Sequence, residues 1–122
     1  MTERKKILVV EDNELNLKLF RDLLEANNFE VIENRDGKRV LELTQTEKPD
    51  IILMDIQLPD ISGMDLIERI KADELLKKIP IIAVTAFAMQ EDKDNILNSG
   101  AEEYISKPIS ITKFLEVINK YL

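Results

Sequence analysis

The chain contains no cysteine and no histidine among its 122 residues. Without cysteine there can be no disulfide, thiolate zinc site or cysteine nucleophile. Without histidine there is no Ser-His-Asp catalysis, no imidazole metal ligand and no imidazole proton shuttle. Any metal ion must therefore sit on oxygen ligands, which favours hard divalent cations such as Mg²⁺ or Mn²⁺.

Long hydrophobic runs and excess positive charge are also lacking. The apolar run 7–10 ends at Glu11, which is too short for the core of a signal peptide. The longest apolar stretch, 79–89, contains Pro80 and falls far short of the ~20 residues of a membrane helix. With 17 basic and 24 acidic residues, the net charge is −7. Nucleic-acid binding and membrane insertion are disfavoured, and we expect a cytoplasmic protein.

The length and the 44% hydrophobic content are those of one globular domain spanning residues 1–122. Within it, short apolar runs rich in β-branched residues alternate with segments of helical spacing. Strands are predicted at 7–10, 29–34, 51–54, 81–85 and 103–106. Helices are predicted at 37–46, 63–71 and 90–99 and along two stripes, Leu15/Leu19/Phe20/Leu23/Leu24 and Ile111/Phe114/Leu115/Ile118/Leu122.

Five alternations of strand and helix predict an α/β fold of the (βα)5 type, with a doubly wound five-stranded parallel sheet. The common strand order for five such strands is 2-1-3-4-5, with ligands bound beyond the carboxyl ends of strands 1 and 3. Strand 1 ends in Glu11 and Asp12, and strand 3 ends in Asp55. These carboxylates would repel one another, and a hard divalent cation is the natural compensator. Alternatively, Asp12 or Asn13 caps the next helix and Asp55 begins a solvated loop.

The other strand ends add a hydroxyl and an ammonium group. Strand 4 ends in Thr85, and strand 5 ends in Lys107 followed by Pro108, where a cis bond could aim the lysine inward. An aspartate nucleophile forming an acyl phosphate needs such a set, because the incoming phosphoryl group spreads negative charge. Asp55 is then the nucleophile, and Thr85 and Lys107 contact phosphoryl oxygens. Glu11, Asp12 and the backbone carbonyl of Gln57 are the expected ligands of Mg²⁺.

These residues also carry a family resemblance, which extends over the whole chain. Glu11-Asp12, the run 55–63 (DIQLPDISG), Thr85-Ala86 and the run 104–108 (YISKP) resemble the receiver domain of two-component response regulators, a fold of the flavodoxin-like and CheY-like class. The resemblance implies that Asp55 is the phosphoacceptor, that Glu11, Asp12, Asp55 and the Gln57 carbonyl surround Mg²⁺, and that Lys107 contacts the phosphate. It further implies that Thr85 and Tyr104 form the switch pair.

Several motifs, including Glu11–Asn16 and Thr85–Met89, are similar to those of single-domain receivers that control cell division and polarity. That similarity implies partnership with bifunctional histidine kinase/phosphatases and a kinase-like protein, and recruitment to the cell poles. Because the chain ends at Leu122, we expect no output domain. We also expect a monomer, with phosphorylation-linked dimerisation as the alternative. Phe87 and Met89 are the candidate partner surface, unless they fill the groove under the fourth helix.

Other functions would require different residues at the strand ends. An aspartate-nucleophile phosphatase needs a carboxylate two residues after the nucleophile, where this chain has Gln57. An FMN module would place its phosphate after strand 1, where Glu11 and Asp12 repel it. A phosphorylation-independent binding module and the receiver of a hybrid kinase remain as alternatives. We therefore expect no turnover of an external substrate, only magnesium-dependent self-phosphorylation and slow autodephosphorylation.

Overall fold

The computed structural model describes residues 4–58, 61–86 and 90–122 and confirms the alternation of strands and helices. The elements, in chain order, are β1 Lys6–Val10, α1 Glu14–Ala26, β2 Glu30–Asn34, α2 Val40–Glu47, β3 Ile51–Asp55, α3 Gly63–Ala72, β4 Ile81–Thr85, α4 Gln90–Asn98, β5 Glu103–Ser106 and α5 Ile111–Lys120. Within these ranges no helix is both long enough and apolar enough to cross a bilayer.

The five strands form one sheet in the order β2-β1-β3-β4-β5, and every neighbouring pair is parallel. This is the predicted doubly wound topology. Its registers place Asp55 beside Val84 and Thr85 beside Ser106. The carboxyl ends of β1, β3, β4 and β5 therefore meet along one edge of the sheet.

Helices cover both faces of the sheet, so two hydrophobic layers form. One layer packs α1 and α5 against the sheet, and includes Phe20 and Phe114 with stacked rings 5.3 Å apart. The other packs α2, α3 and α4 against the opposite face. All five residues of β3 and all five of β4 are buried, which explains why these strands are apolar on consecutive positions rather than alternating ones.

The predicted helical stripes are partly wrong. In α1 the buried side chains are Leu17, Phe20 and Leu24, whereas Leu15 is 78% exposed. Leu19 is also exposed. Periodicity alone admits two neighbouring registers in a leucine-rich helix, and packing against the sheet selects the one with Phe20 at its centre. In α5 the packed residues are Phe114, Val117 and Ile118, while Ile111 and Leu122 at its two ends are exposed.

The residue at which a helix starts depends on backbone conformation and on capping groups, which the spacing of apolar residues does not reveal. The predicted helix 37–46 begins at Val40 instead, because Gly37 has a positive φ of 79° and its N–H donates to Asn34 Oδ1. Side-chain oxygens of Asn13, Ser62 and Ser110 accept N–H groups of the first turns of α1, α3 and α5. The predicted bounds of β4 and β5 are confirmed, and the other boundaries lie within two residues of the prediction.

The first residue of α3 packs directly on the strand that carries Asp55. A Cβ atom at Gly63 would lie 2.8 Å from Ile56 Cα and closer still to the carbonyl oxygen of Asp55. Backbone atoms cannot rotate away from such a contact, so the absence of a side chain at this position lets the helix approach the end of β3.

We expect Gly63→Ala to lower the free energy of unfolding by roughly 1–3 kcal/mol, because the added methyl group must push α3 away from β3. Urea unfolding followed by circular dichroism measures this change. Glu68→Ala, on the exposed side of the same helix, should stay within about 0.5 kcal/mol of the parent. Equal unfolding midpoints for the two variants would contradict the proposed close packing.

Candidate functional site

Three carboxylates converge at the carboxyl edge of the sheet, as the strand ends predicted. Glu11 and Asp12 follow β1, Asp55 ends β3, and one oxygen from each lies within 4.8 Å of the others. Glu11 and Asp55 are only 1% and 2% exposed, whereas Asp12 is exposed. The alternative interpretation of these acids is therefore wrong for Asp55, which is buried. Its other part, that Asp12 or Asn13 caps the next helix, is confirmed for Asn13, which caps α1, and not for Asp12.

Lys107 is the cation of this cluster. Its ammonium Nζ lies 3.2 Å from Glu11 Oε1 and 3.5 Å from Asp55 Oδ2. Its backbone N–H donates to the carbonyl oxygen of Thr85, and its peptide bond to Pro108 is cis. The predicted convergence of the last strand on the acidic residues is thus present, with one ammonium group set against three carboxylates.

The surroundings of Glu11 disfavour its charged form. Burial and the neighbouring Asp55 carboxylate raise its pKa to about 7, despite the opposing effect of Lys107. Oε2 accepts the N–H of Asn13 at 3.3 Å, but Oε1 is buried and accepts no hydrogen bond. Lys107 approaches Oε1 at ion-pair distance, outside hydrogen-bond geometry. Clustered carboxylate oxygens with an unsatisfied member are a donor set that fits a hard divalent cation.

Asp55 uses its two oxygens differently. Oδ1 accepts the backbone N–H of Gln57 at 2.9 Å, while Oδ2 faces Lys107. The side chain of Gln57 reaches across to β4, where its Oε1 accepts the N–H of Ala86 at 3.4 Å. This bridge between the ends of two strands was not predicted, since a glutamine after a strand has no distinctive spacing. The carbonyl of Gln57 as a metal ligand stays a prediction.

Thr85 and Tyr104 lie on the adjacent strands β4 and β5. Thr85 is fully buried at the end of β4, and Tyr104, partly buried, pairs in register with Ala83. The ammonium of Lys93 on α4 sits over the Tyr104 ring, 5.3 Å from its centre. Lys93 was missed by sequence reasoning because a lysine in a polar helix looks like any solvated one. The two candidate partner residues, Phe87 and Met89, lie outside the described residues.

Comparison with known proteins identifies the class to which this fold and site belong. The family model described as the response regulator receiver domain matches residues 7–119. The chain is therefore a member of the receiver-domain family.

Within this family, the chain is similar in sequence to individual response regulators. The chain is 53% identical over 118 residues to the polar-differentiation response regulator DivK of Brucella anthropi, and 54% identical to that of Brucella abortus. Each alignment covers 97% of this chain and 96% of the relative.

Solved structures share the fold and, in one case, show a metal at the site. The receiver domain of a sensor histidine kinase from Pseudomonas aeruginosa, with a magnesium ion coordinated in its active site cleft, has a TM-score of 0.89 and 31% identity over 98% of both chains. A CheY-like receiver domain protein from Methanospirillum hungatei has a TM-score of 0.86 and 34% identity, over 97% of this chain and 93% of that one.

The raised pKa of Glu11 predicts a pH-dependent stability of the metal-free chain. Between pH 4.5 and about 7 the folded state keeps a proton that the unfolded state has lost, so stability falls as pH rises through this window. The loss should be on the order of 3 kcal/mol, because each pKa unit corresponds to about 1.4 kcal/mol. Thermal melts in EDTA across the window measure it. Glu11→Gln cannot titrate, so an equally steep fall in that variant would contradict the assignment.

Asp12 is the exposed member of the carboxylate cluster. Because it adds like charge beside Glu11 and Asp55, we expect Asp12→Asn to stabilise the metal-free chain, by up to about 1 kcal/mol given its exposure. The same change removes a carboxylate oxygen, so Mg²⁺ affinity should fall by roughly tenfold or more. Melting temperatures and a Mg²⁺ titration test both effects. Asp36→Asn, outside the cluster, is the control, and equal Mg²⁺ affinity in the two variants would contradict clustering.

Proposed function

We propose that Asp55 accepts a phosphoryl group from the phosphohistidine of a histidine kinase or phosphotransfer protein. The observation that carries this proposal is a buried aspartate with Oδ2 facing a lysine ammonium inside a three-carboxylate cluster. Clustered buried carboxylates repel one another, and such arrangements concentrate at functional sites. The magnesium-containing receiver of Pseudomonas aeruginosa supports the same use.

The transfer is a substitution at phosphorus. An oxygen of Asp55 forms a bond to phosphorus, and the phosphorus–nitrogen bond of the donor breaks. Its electron pair returns to the imidazole nitrogen, which takes up a proton from water. A bound Mg²⁺, held by Glu11, Asp12, Asp55 and the Gln57 carbonyl, would neutralise charge on the phosphoryl oxygens.

The chain's own residues orient the acceptor and balance its charge. The N–H of Gln57 holds Oδ1 of Asp55 and thereby fixes the plane of the carboxylate. Lys107, anchored through its backbone to β4, places a cation where the phosphoryl oxygens arrive. No carboxylate stands at Gln57 to act as a general acid for rapid hydrolysis. We accordingly propose a phosphorylated signalling protein with slow autodephosphorylation, not an enzyme acting on an external substrate.

The switch would act through β4 and β5. Thr85 ends the strand next to Asp55, so a new phosphoryl group has a hydroxyl-bearing neighbour, and Tyr104 lies on the following strand. Movement of Thr85 toward the phosphoryl group would change the space available to the Tyr104 ring. Lys93 over that ring links the change to α4. Phe87 and Met89 stay as the predicted partner surface.

The relatives suggest the biological setting. They are named polar-differentiation response regulators, and we propose that this chain also serves cell-division or polarity control as a single-domain response regulator. Its partners would be histidine kinase/phosphatases and a downstream, kinase-like protein. The proposed location is the cytoplasm, with recruitment to the poles by these partners.

The proposal predicts magnesium-dependent phosphorylation that depends on Asp55. With acetyl phosphate and Mg²⁺, intact-protein mass spectrometry should show one added phosphoryl group on the parent chain and none on Asp55→Asn, because an amide is not a competent acceptor. EDTA should abolish the reaction. Asp36→Asn is the control and should be phosphorylated like the parent.

Two results would overturn the assignment. A phosphoryl group on Asp55→Asn would identify another acceptor. No phosphorylation of the parent chain by acetyl phosphate or by purified histidine kinases would favour a phosphorylation-independent binding module.

A further inference from the structure

A second concave site lies at the edge of the sheet opposite the acidic cluster. This cavity, of about 410 Å³, is bounded by the end of α2, Pro49 in the loop before β3, and the loop before β4. Its volume falls within the range of about 300–1,000 Å³ that is typical of ligand pockets. Nothing in the phosphorylation chemistry uses it.

The wall of this cavity is largely apolar and continues onto the surface. Pro49, Leu76 and Ile79 line its interior, and Leu75 stands at the same site with 87% of its surface exposed. The neighbouring Leu76 is 5% exposed, so one leucine of the pair is in the core and the other is in water. An exposed leucine beside an apolar cavity is surface that a partner can bury.

Lys48 gives the cavity its charge. It caps the end of α2 with a φ of 50°, a left-handed conformation in which glycine or asparagine is the usual residue. A lysine therefore stands at this position at a conformational cost, and its backbone is held by an N–H bond to the Thr44 carbonyl oxygen. The conformation itself gives no reason for the long cationic side chain.

The ammonium of Lys48 is also not neutralised by the described residues. Nearby Lys77 pairs with Glu74 at 2.8 Å, and Lys6 pairs with Glu47 at 3.7 Å. Neither Lys48 nor Lys78, in the loop before β4, has an ion-pair partner in the described part of the chain. In a protein of net charge −7, the lining of this apolar cavity thus includes one unpaired cation, Lys48.

We propose that this cavity docks an acidic peptide segment of a partner protein, with one large apolar side chain inserted between Leu75 and Pro49 and a flanking carboxylate paired with Lys48. Charge complementarity selects this occupant over a basic or purely apolar one. The five-residue strand β3 separates the cavity from Asp55 by about 17 Å at the usual rise per residue. The site is thus distinct from the proposed phosphorylation site and does not depend on it.

The test uses the full chain and a synthetic peptide, acetyl-Gly-Glu-Glu-Phe-Glu-Glu-Gly-amide, in a ¹⁵N–¹H NMR titration. Saturable shifts should appear at Lys48, Leu75, Leu76 and Ile79. Binding should weaken by about fivefold or more in Leu75→Ser and in Lys48→Gly. Lys48→Gly should at the same time melt no lower than the parent, because glycine relieves the left-handed backbone. Loss of binding with a retained fold separates docking from a structural role.

The controls decide among the other outcomes. Leu15→Ser, a matched exposed leucine on α1, and Asp55→Asn should bind the peptide like the parent, so failure of the phosphorylation proposal leaves this one intact. A peptide with lysine in place of glutamate should not bind. Absence of saturable shifts at millimolar peptide, shifts that ignore both substitutions, or concentration-dependent self-association through Leu75 would each overturn the proposal.

Discussion

The site is organised by an excess of negative charge around one ammonium group. Lys107 contacts both buried carboxylates, Glu11 and Asp55, while Asp12 adds a third at the surface. Burial and the neighbouring Asp55 carboxylate raise the pKa of Glu11 above its usual value, and its Oε1 is left without a hydrogen bond. The remaining negative charge favours uptake of a further cation, as the proposed phosphorylation requires.

The sheet makes that arrangement possible although the carboxylates repel one another. Carboxylates on one flexible segment would separate, but Glu11, Asp55 and Lys107 are each attached to the end of a different strand of one sheet. Two hydrophobic layers hold these strands in register, and Gly63 lets α3 pack against the end of β3. The stability of the core thus keeps together side chains that repel one another.

The two edges of the sheet have opposite character. At the carboxyl edge, polar side chains emerge from strand ends and the charge is negative. At the amino edge, the loops before β3 and β4 enclose an apolar cavity, with Lys48 at its wall. A partner at the amino edge need not compete with phosphorylation at the carboxyl edge, so the proposed docking site and the proposed phosphorylation site are compatible.

The strand–helix order, the strand ends and the residues Glu11, Asp12, Asp55, Thr85 and Lys107 could all be predicted from the sequence, because buried strands and acidic strand ends have local signatures. The register of α1 could not, since a leucine-rich helix offers two apolar faces and only contact with the sheet chooses Leu17 over Leu15. The Gln57–Ala86 bridge, the Lys93–Tyr104 contact and the cavity at Lys48 join segments far apart in the chain. Such contacts exist only once the chain has folded, and tertiary structure alone decided them.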